Sequence, residues 1–226
     1  MSLYHIHVPR TSGVFIRNIL MDNFNCKTKL LGHGSPISEE AFAKAELISG
    51  HFGVEPLNYS KKSFCVIRDP NELTFSYIKN ISYKLKINIP FEELINLYLT
   101  TKEFSSSVTN LITKSLTGKV DISEYNNYYS NQTIMVDNCW FLKNPLKNYE
   151  NIISFIEDNN IKVYLYESKD LYKDIFSYIN LNNINIDNYH KVNHTEKEFD
   201  YLYDKYFDRI NELNYLDKSI YDYFKK

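Results

Sequence analysis

The sequence predicts an α/β protein of three layers, in which a short, mainly parallel central sheet is covered by helices on both faces. Apolar segments at residues 3–8, 63–67 and 162–166 have the length and composition of buried strands. Segments of helical periodicity follow each of them, and strands that alternate with helices are typical of a parallel sheet. No internal repeat or linker divides the 226 residues, so a single domain over residues 1–226 is predicted.

The remaining elements follow from periodicity and from turn-forming residues. A further short strand is predicted at residues 46–49, just before a Gly-His-Phe-Gly segment. Residues 121–138 are rich in Asn, Ser and Tyr with weak periodicity, which predicts irregular structure. Helices are predicted at 13–21, from about 71 onward, at 91–114 with a break near Thr101 or Phe104, at 149–157, at 168–179, and at 196–224 with a break near Asn214.

Composition and charge exclude several classes of protein. The chain has 26 Lys and Arg against 28 Asp and Glu, a formal net charge of −2, which does not favour a nucleic-acid-binding protein. Its three cysteines have neither disulfide-scaffold nor zinc-site spacing, and this is typical of reduced thiols in the cytosol. The chain shows neither a signal peptide nor a membrane-spanning stretch. A soluble, cytoplasmic protein is therefore predicted.

The loop between the first strand and the first helix is a candidate anion site. A tight loop at residues 9–13 leads into a helix, and the start of a helix presents backbone N–H groups and the positive end of its dipole. Arg10 adds a forked cationic donor. The loop lacks the Gly-x-x-x-x-Gly-Lys-Ser/Thr pattern of nucleoside triphosphatases. The alternative at this point is an ordinary strand–helix turn with a surface arginine.

A second candidate anion site follows the strand at residues 63–67. Arg68 comes at the end of that strand, Asp69-Pro70 turns the chain, and Ser76 lies in the next helix. The carboxyl ends of parallel strands border the crevice in which α/β proteins bind ligands. An arginine with a nearby hydroxyl suits a phosphate monoester. The alternative is an Arg68–Asp69 ion pair that only orders the loop.

Both segments resemble sulfotransferases that use 3′-phosphoadenosine-5′-phosphosulfate (PAPS), the family that includes the heparan and chondroitin sulfotransferases. His5-Ile6-His7-Val8-Pro9-Arg10-Thr11-Ser12-Gly13 resembles their phosphosulfate loop. Residues 64–70 with Phe75-Ser76-Tyr77 resemble their 3′-phosphate site, and Ile48-Ser49-Gly50-His51-Phe52 resembles the segment between the two. Weaker similarity extends to Asn131-Gln132-Thr133, to residues 162–171 and to residues 215–223.

The resemblance implies an enzyme with a P-loop-like phosphosulfate site. Its expected reaction moves a sulfonyl group from PAPS to a hydroxyl of a small-molecule or glycan acceptor, and a carbohydrate is the expected acceptor. The hydroxyl is expected to attack in line with the leaving phosphate, and no metal ion is expected. His51 is the expected general base, because an imidazole titrates near neutrality, and Arg10 would neutralise charge on the sulfonate and leaving phosphate. Residues implied to bind the donor are Arg10, Thr11, Ser12 and Gly13 at the 5′-phosphosulfate, and Arg68 and Ser76 at the 3′-phosphate.

Three departures from the family pattern, and the strand–loop–helix arrangement that other nucleotide-binding proteins share, leave two alternatives open. Arg10 replaces the usual lysine, Val14-Phe15 replaces a hydroxyl-bearing pair, and Ile134 stands where the family has arginine. One alternative is a non-catalytic protein of the same fold that binds a nucleotide or a glycan. The other is a nucleotide phosphotransferase such as a kinase, which would need a metal-binding carboxylate near the loop and a Lys-Ser/Thr pair, and neither is evident in the sequence.

Other ionisable side chains are interpreted without a catalytic role. His5 and His7 share one face of a strand, but no third ligand is identifiable, so a metal site is not predicted. Glu167 is interpreted as a surface or loop-capping carboxylate, with an acid–base role in the crevice as the alternative. Asp217 and Asp222 are interpreted as part of a solvated helix face.

Overall fold

The computed structural model describes residues 2–32, 36–131, 142–181, 184–186 and 200–226, with the backbone alone described at residues 128–131 and 200. Its central sheet has five strands, all parallel, in the order β2-β3-β1-β4-β7. A separate antiparallel pair is formed by β5 and β6. The strands are β1 (Leu3–Ile6), β2 (Lys29–Leu31), β3 (Leu47–Gly50), β4 (Lys62–Ile67), β5 (Lys119–Val120), β6 (Leu142–Lys143) and β7 (Ile161–Leu165).

Helices connect these strands and form most of the remaining described chain. A 3-10 helix, Glu55–Tyr59, precedes β4. The α-helices are α1 (Gly13–Asn23), α2 (Glu39–Lys44), α3 (Pro70–Leu85), α4 (Phe91–Thr100), α5 (Lys102–Val108), α6 (Leu111–Thr117), α7 (Ile122–Asn131), α8 (Tyr149–Asp158), α9 (Leu171–Tyr178), α10 (Asp200–Leu213) and α11 (Tyr215–Lys225). None of the helices in these ranges has both the length and the apolar character that crossing a bilayer requires.

The sheet separates two hydrophobic cores, because successive side chains of a strand point to opposite faces. Leu3, Phe64 and Val66 lie on one face and pack with apolar residues of α1 and α9. Tyr4 and Ile6 lie on the other face, in the larger core that α3, α4, α6, α8, α10 and α11 complete. Helices therefore cover both faces of the sheet, and the predicted three-layer α/β architecture with a parallel sheet is confirmed.

Most predicted elements are confirmed, with two differences. The segment at 91–114 breaks at Thr101 as predicted, but it breaks again before α6, where Asn110 takes a left-handed conformation with φ 51°. The prediction of irregular structure is wrong for residues 122–131, which form α7. This helix has few apolar residues, but the Asn126 amide bonds both the N–H and the C=O of Ile37, and Tyr125 is buried. Tertiary contacts compensate there for weak local periodicity.

The interpretation of Asp217 as a solvated residue is wrong. The residue is fully buried, and its carboxylate accepts hydrogen bonds from the backbone N–H groups of Ile112 and Thr113, each at 2.8 Å, and from the Thr113 hydroxyl at 2.7 Å. Burial raises the pKa of Asp217 to about 6, although these hydrogen bonds act in the opposite direction. The side chain thus joins α11 to the first turn of α6. Asp222 does lie in the solvated face, where it pairs with Lys218.

The break between α10 and α11 is part of the same connection. It falls at Asn214, as predicted, and the Asn214 side chain accepts a hydrogen bond from the Asn110 N–H at 2.8 Å and donates one to the Tyr98 hydroxyl at 3.2 Å. Asn214 and Asp217 together connect the start of α11 to α4 and to the start of α6 through buried polar contacts.

We expect Asp217→Ala to lower the free energy of unfolding by roughly 2–4 kcal/mol, because it leaves two buried N–H groups at the start of α6 without an acceptor. Asp222→Ala on the same helix is the matched control. Its carboxylate is half exposed, and losing an exposed i,i+4 ion pair should cost less than about 0.5 kcal/mol. Urea denaturation measures both values. Equal costs would contradict the role assigned to Asp217.

Candidate functional site

A cavity of about 310 Å³ lies at the carboxyl edge of the sheet, where the β1–α1 loop meets α3 and the end of β7. This is the edge at which parallel α/β proteins bind ligands. The loop contributes Arg10, Ser12 and Gly13, the β4–α3 connection contributes Arg68, and α3 itself contributes Ser76. Five of the seven residues that sequence analysis assigned to a site therefore line one cavity.

The charge of this cavity is positive. Arg10, Arg68 and Lys84 line it, and no Asp or Glu side chain is found among its described lining residues. Such a wall attracts an anionic ligand, and arginine binds phosphate through two parallel hydrogen bonds. Val14 and Phe15 give the wall an apolar part on the α1 side. The cavity is thus suited to a ligand that has anionic groups attached to an apolar or aromatic body.

The β1–α1 loop has an unusual backbone. Arg10 and Ser12 both have φ of 62°, a left-handed conformation that is rare for residues with a side chain. Strain of this kind persists where surrounding contacts hold it, and it concentrates at binding sites. Here Arg10 is held across the cavity, because its Nε donates to Ser76 Oγ at 2.9 Å and its Nη1 lies 3.5 Å from Asn80 Oδ1.

The three residues after Arg10 have different roles. Thr11 is buried, and its hydroxyl donates to the Val8 carbonyl at 2.8 Å, so it orders the loop and does not line the cavity. Ser12 precedes α1 and accepts a hydrogen bond from the Tyr172 hydroxyl at 3.3 Å, while its side chain caps none of the first-turn N–H groups. Gly13 is the first residue of α1, which has no acidic residue in its first turn. The start of α1 faces the cavity and favours an anion.

Arg68 is held in place by two contacts. Its Nε and Nη2 donate to Glu72 Oε2 at 3.0 and 2.8 Å, and its guanidinium lies 4.8 Å from the centre of the Tyr166 ring. The alternative Arg68–Asp69 pair is not the arrangement found. Asp69 instead caps α3, since its Oδ1 accepts from the Asn71 N–H at 3.0 Å. These contacts orient the Arg68 side chain toward the cavity at little cost in side-chain entropy.

Glu167 caps the loop that follows β4. Its Oε1 accepts a hydrogen bond from the Asp69 N–H at 3.0 Å, which confirms its interpretation as a loop-capping carboxylate.

The cavity wall also includes Asn80 and Lys84, which sequence analysis did not include among the site residues. Ser76, Asn80 and Lys84 are four residues apart along α3, and side chains at this spacing share one helix face. That spacing is the signal by which the two could have been found.

The histidines form a column behind the cavity. His5, His7 and His51 are all buried, and the His7 ring lies 4.3 Å from the His51 ring and 5.8 Å from the His5 ring, in stacked orientations. His7 lines the cavity, whereas His51 is not among the lining residues. His5 bonds Ser49 Oγ through Nδ1 at 2.8 Å. Burial lowers the pKa of His5 to about 3, and positive charge at His51 and Arg17 contributes further.

The position of Gly13 depends on this column. A Cβ atom on Gly13 would lie 1.8 Å from Cδ2 and 2.0 Å from Nε2 of His7, so the imidazole occupies the space that any larger residue would need. The His7 ring is therefore packed directly against the first turn of α1. Close approach, and not a special backbone conformation, is the reason for glycine at this position.

Comparison of the chain with family models, with curated proteins and with solved structures finds no match. Among the described side chains, no three of His, Cys, Asp and Glu are grouped as a metal site would require. Gln132 and Thr133, part of a weaker sulfotransferase-like segment, lie outside the described residues.

We expect Gly13→Ala to lower the free energy of unfolding by roughly 1–3 kcal/mol, because the new methyl group overlaps the His7 ring. The same change made in a His7→Ala background should cost much less, since the overlapping ring is gone. A double-mutant cycle by chemical denaturation measures this coupling. Strictly additive costs would show that His7 does not occupy the space above Gly13.

Proposed function

We propose that this protein is a PAPS-dependent sulfotransferase that transfers a sulfonyl group to a hydroxyl, with a carbohydrate as the acceptor class. The observation that carries the proposal is the convergence of the two phosphate-binding segments. Arg10, Ser12 and Gly13 come from the β1–α1 segment, Arg68 and Ser76 come from the β4–α3 segment, and the five residues line one positively charged cavity. A donor with a phosphate at one end and a phosphosulfate at the other would engage both loops.

Each end of the donor has matching groups in this proposal. Arg68 and Ser76 hold the 3′-phosphate, with the Tyr166 ring supporting the guanidinium. The 5′-phosphosulfate lies against Ser12 and the first turn of α1, where backbone N–H groups and the helix dipole favour negative charge. Arg10 lies between the two ends, because its side chain reaches from the loop to Ser76 on α3.

The chemical step follows from this placement. The acceptor oxygen forms a bond to sulfur while the bond from sulfur to the phosphate oxygen breaks in line with it, and the product is adenosine 3′,5′-bisphosphate. Arg10 stabilises the charge that develops on the leaving phosphate oxygen. The acceptor proton passes to an imidazole, for which the sequence-based prediction is His51. Holding donor and acceptor in line supplies much of the rate gain.

The structure favours one alternative over the other. Val14 and Phe15 line the cavity without offering hydroxyls to a phosphate, which is compatible with a protein that binds a nucleotide or glycan without turnover. A phosphotransferase has less support. Its Mg²⁺ would need carboxylate ligands, and none lines the cavity in the part of the chain that the structure describes.

Calorimetric titration with adenosine 3′,5′-bisphosphate, with ATP as the comparison ligand, tests the proposed donor site. We expect the bisphosphate to bind more tightly than ATP, and Arg68→Ala to weaken it by roughly 10- to 100-fold, because a charge-assisted pair of hydrogen bonds to the 3′-phosphate is lost.

Arg209→Ala is the matched control for this titration. Arg209 is exposed, pairs with Glu212 three residues later on α10, and does not line the cavity. Its removal should therefore leave the affinity for the bisphosphate unchanged. Failure of the bisphosphate to bind the wild-type protein would refute the proposed function. Tighter binding of ATP would favour a phosphotransferase or another nucleotide-binding protein.

A further inference from the structure

We infer that His7 is the catalytic imidazole of this site, and that His51 is a positioning residue that acts through it. The inference rests on the proposed function and refines it, because the sequence-based prediction assigns the proton transfer to His51. Only His7 of the two combines a place in the cavity wall with contact to the loop that would hold the reacting end of the donor.

The position of the His7 ring is set by Gly13. The absent Cβ of that residue would lie 1.8 Å from Cδ2 and 2.0 Å from Nε2 of His7, so the ring lies in van der Waals contact with the first turn of α1. This turn is where the 5′-phosphosulfate is proposed to lie. An acceptor hydroxyl that approaches the sulfur would meet the His7 ring before any other histidine of the described chain.

His51 is placed to orient His7. Its ring stacks on the His7 ring with a centroid distance of 4.3 Å and an interplanar angle of 22°, and only 5% of the residue is exposed. On the other side the His5 ring stacks on Phe64, with centroids 4.9 Å apart, and the Ser49 hydroxyl fixes its Nδ1. The stacking order is His51, His7, His5 and Phe64, and His7 is the ring of this column that lines the cavity.

Most of the charged side chains near the column are cationic. Arg10, Arg68 and Lys84 face the same cavity as His7, and Arg17 on α1 acts on His5. No acidic side chain is among the described lining residues, but Glu72 pairs with Arg68 at 2.8 Å and offsets part of its charge. An anionic ligand in the cavity would stabilise a positive charge on the adjacent His7 ring. Two stacked imidazoles repel each other when both carry a proton, so the charge on one ring depends on the other.

The proton is accounted for in each part of the step. As the acceptor oxygen bonds to sulfur, its proton passes to a ring nitrogen of His7, and the electron pair of the breaking bond remains on the phosphate oxygen of adenosine 3′,5′-bisphosphate. The imidazolium then lies beside a more highly charged product, which stabilises it. When the product leaves, the proton is released to water and His7 returns to its neutral form.

Titration of the histidine imidazoles by NMR, with and without adenosine 3′,5′-bisphosphate, tests the inference on the intact chain. We expect the ligand to raise the titration midpoint of one imidazole by roughly one pH unit or more, because the negative charge of its phosphates stabilises the imidazolium. That signal should be absent in His7→Gln. It should persist in His51→Gln with an altered midpoint, because the neighbouring imidazole no longer competes for the proton. Through-bond assignment of the wild-type signals gives the same answer should either variant fold poorly.

The outcomes separate the inference from the proposed function. If calorimetry shows no binding of the bisphosphate, the proposed function fails and the inference fails with it. If the bisphosphate binds but the responsive signal belongs to His51, or no imidazole responds, the inference alone is overturned. A responsive His7 signal, with bisphosphate affinity in His7→Gln within about threefold of wild type, supports an imidazole that serves the reaction and not the binding of the donor.

Discussion

Parallel pairing of β1 with β4 is the constraint on which the whole site depends. The pairing sets Ile6 opposite Cys65, so the loops that leave the two strands start side by side at one edge of the sheet. Each loop then leads into a helix, α1 or α3, that packs on a different face of the sheet. The cavity lies between the loops that follow β1 and β4, and the hydrogen bond from Arg10 to Ser76 spans it. A sheet in which β1 and β4 were not neighbours would separate Arg10 from Arg68.

The loop after β1 is shaped by its neighbours more than by its own preferences. Two residues with φ of 62° within three positions cost free energy that a glycine would not require. Neighbouring contacts compensate for this cost. The Thr11 hydroxyl donates a hydrogen bond to the Val8 carbonyl, and the Tyr172 hydroxyl donates one to Ser12 Oγ. The His7 ring fills the space above Gly13. The same contacts that hold the strained loop also place its donors at the start of α1.

Much of the fold could be predicted from the sequence, because strands and helices leave local patterns. Arg10 and Arg68 could be assigned to a site since each follows a buried strand in a parallel sheet, and strand ends meet at one edge. The relation between His7 and His51 could not be predicted. Each follows a short strand, and only the pairing of Ile6 with Gly50 shows that the next residues are neighbours, with His7 nearer the cavity. The burial of Asp217 could not be predicted for a similar reason, because its hydrogen-bond partners on α6 lie more than 100 residues earlier in the sequence.

The most direct test of the central claim is a crystal structure of the protein with adenosine 3′,5′-bisphosphate bound. The account predicts one ligand that spans the cavity, with its 3′-phosphate within hydrogen-bond distance of Arg68 and Ser76 and its 5′-phosphate against Ser12 and the first turn of α1. The His7 ring should lie beside the 5′ end. A bisphosphate bound elsewhere, or bound in this cavity by one loop alone, would contradict the claim that the two loops form a single donor site.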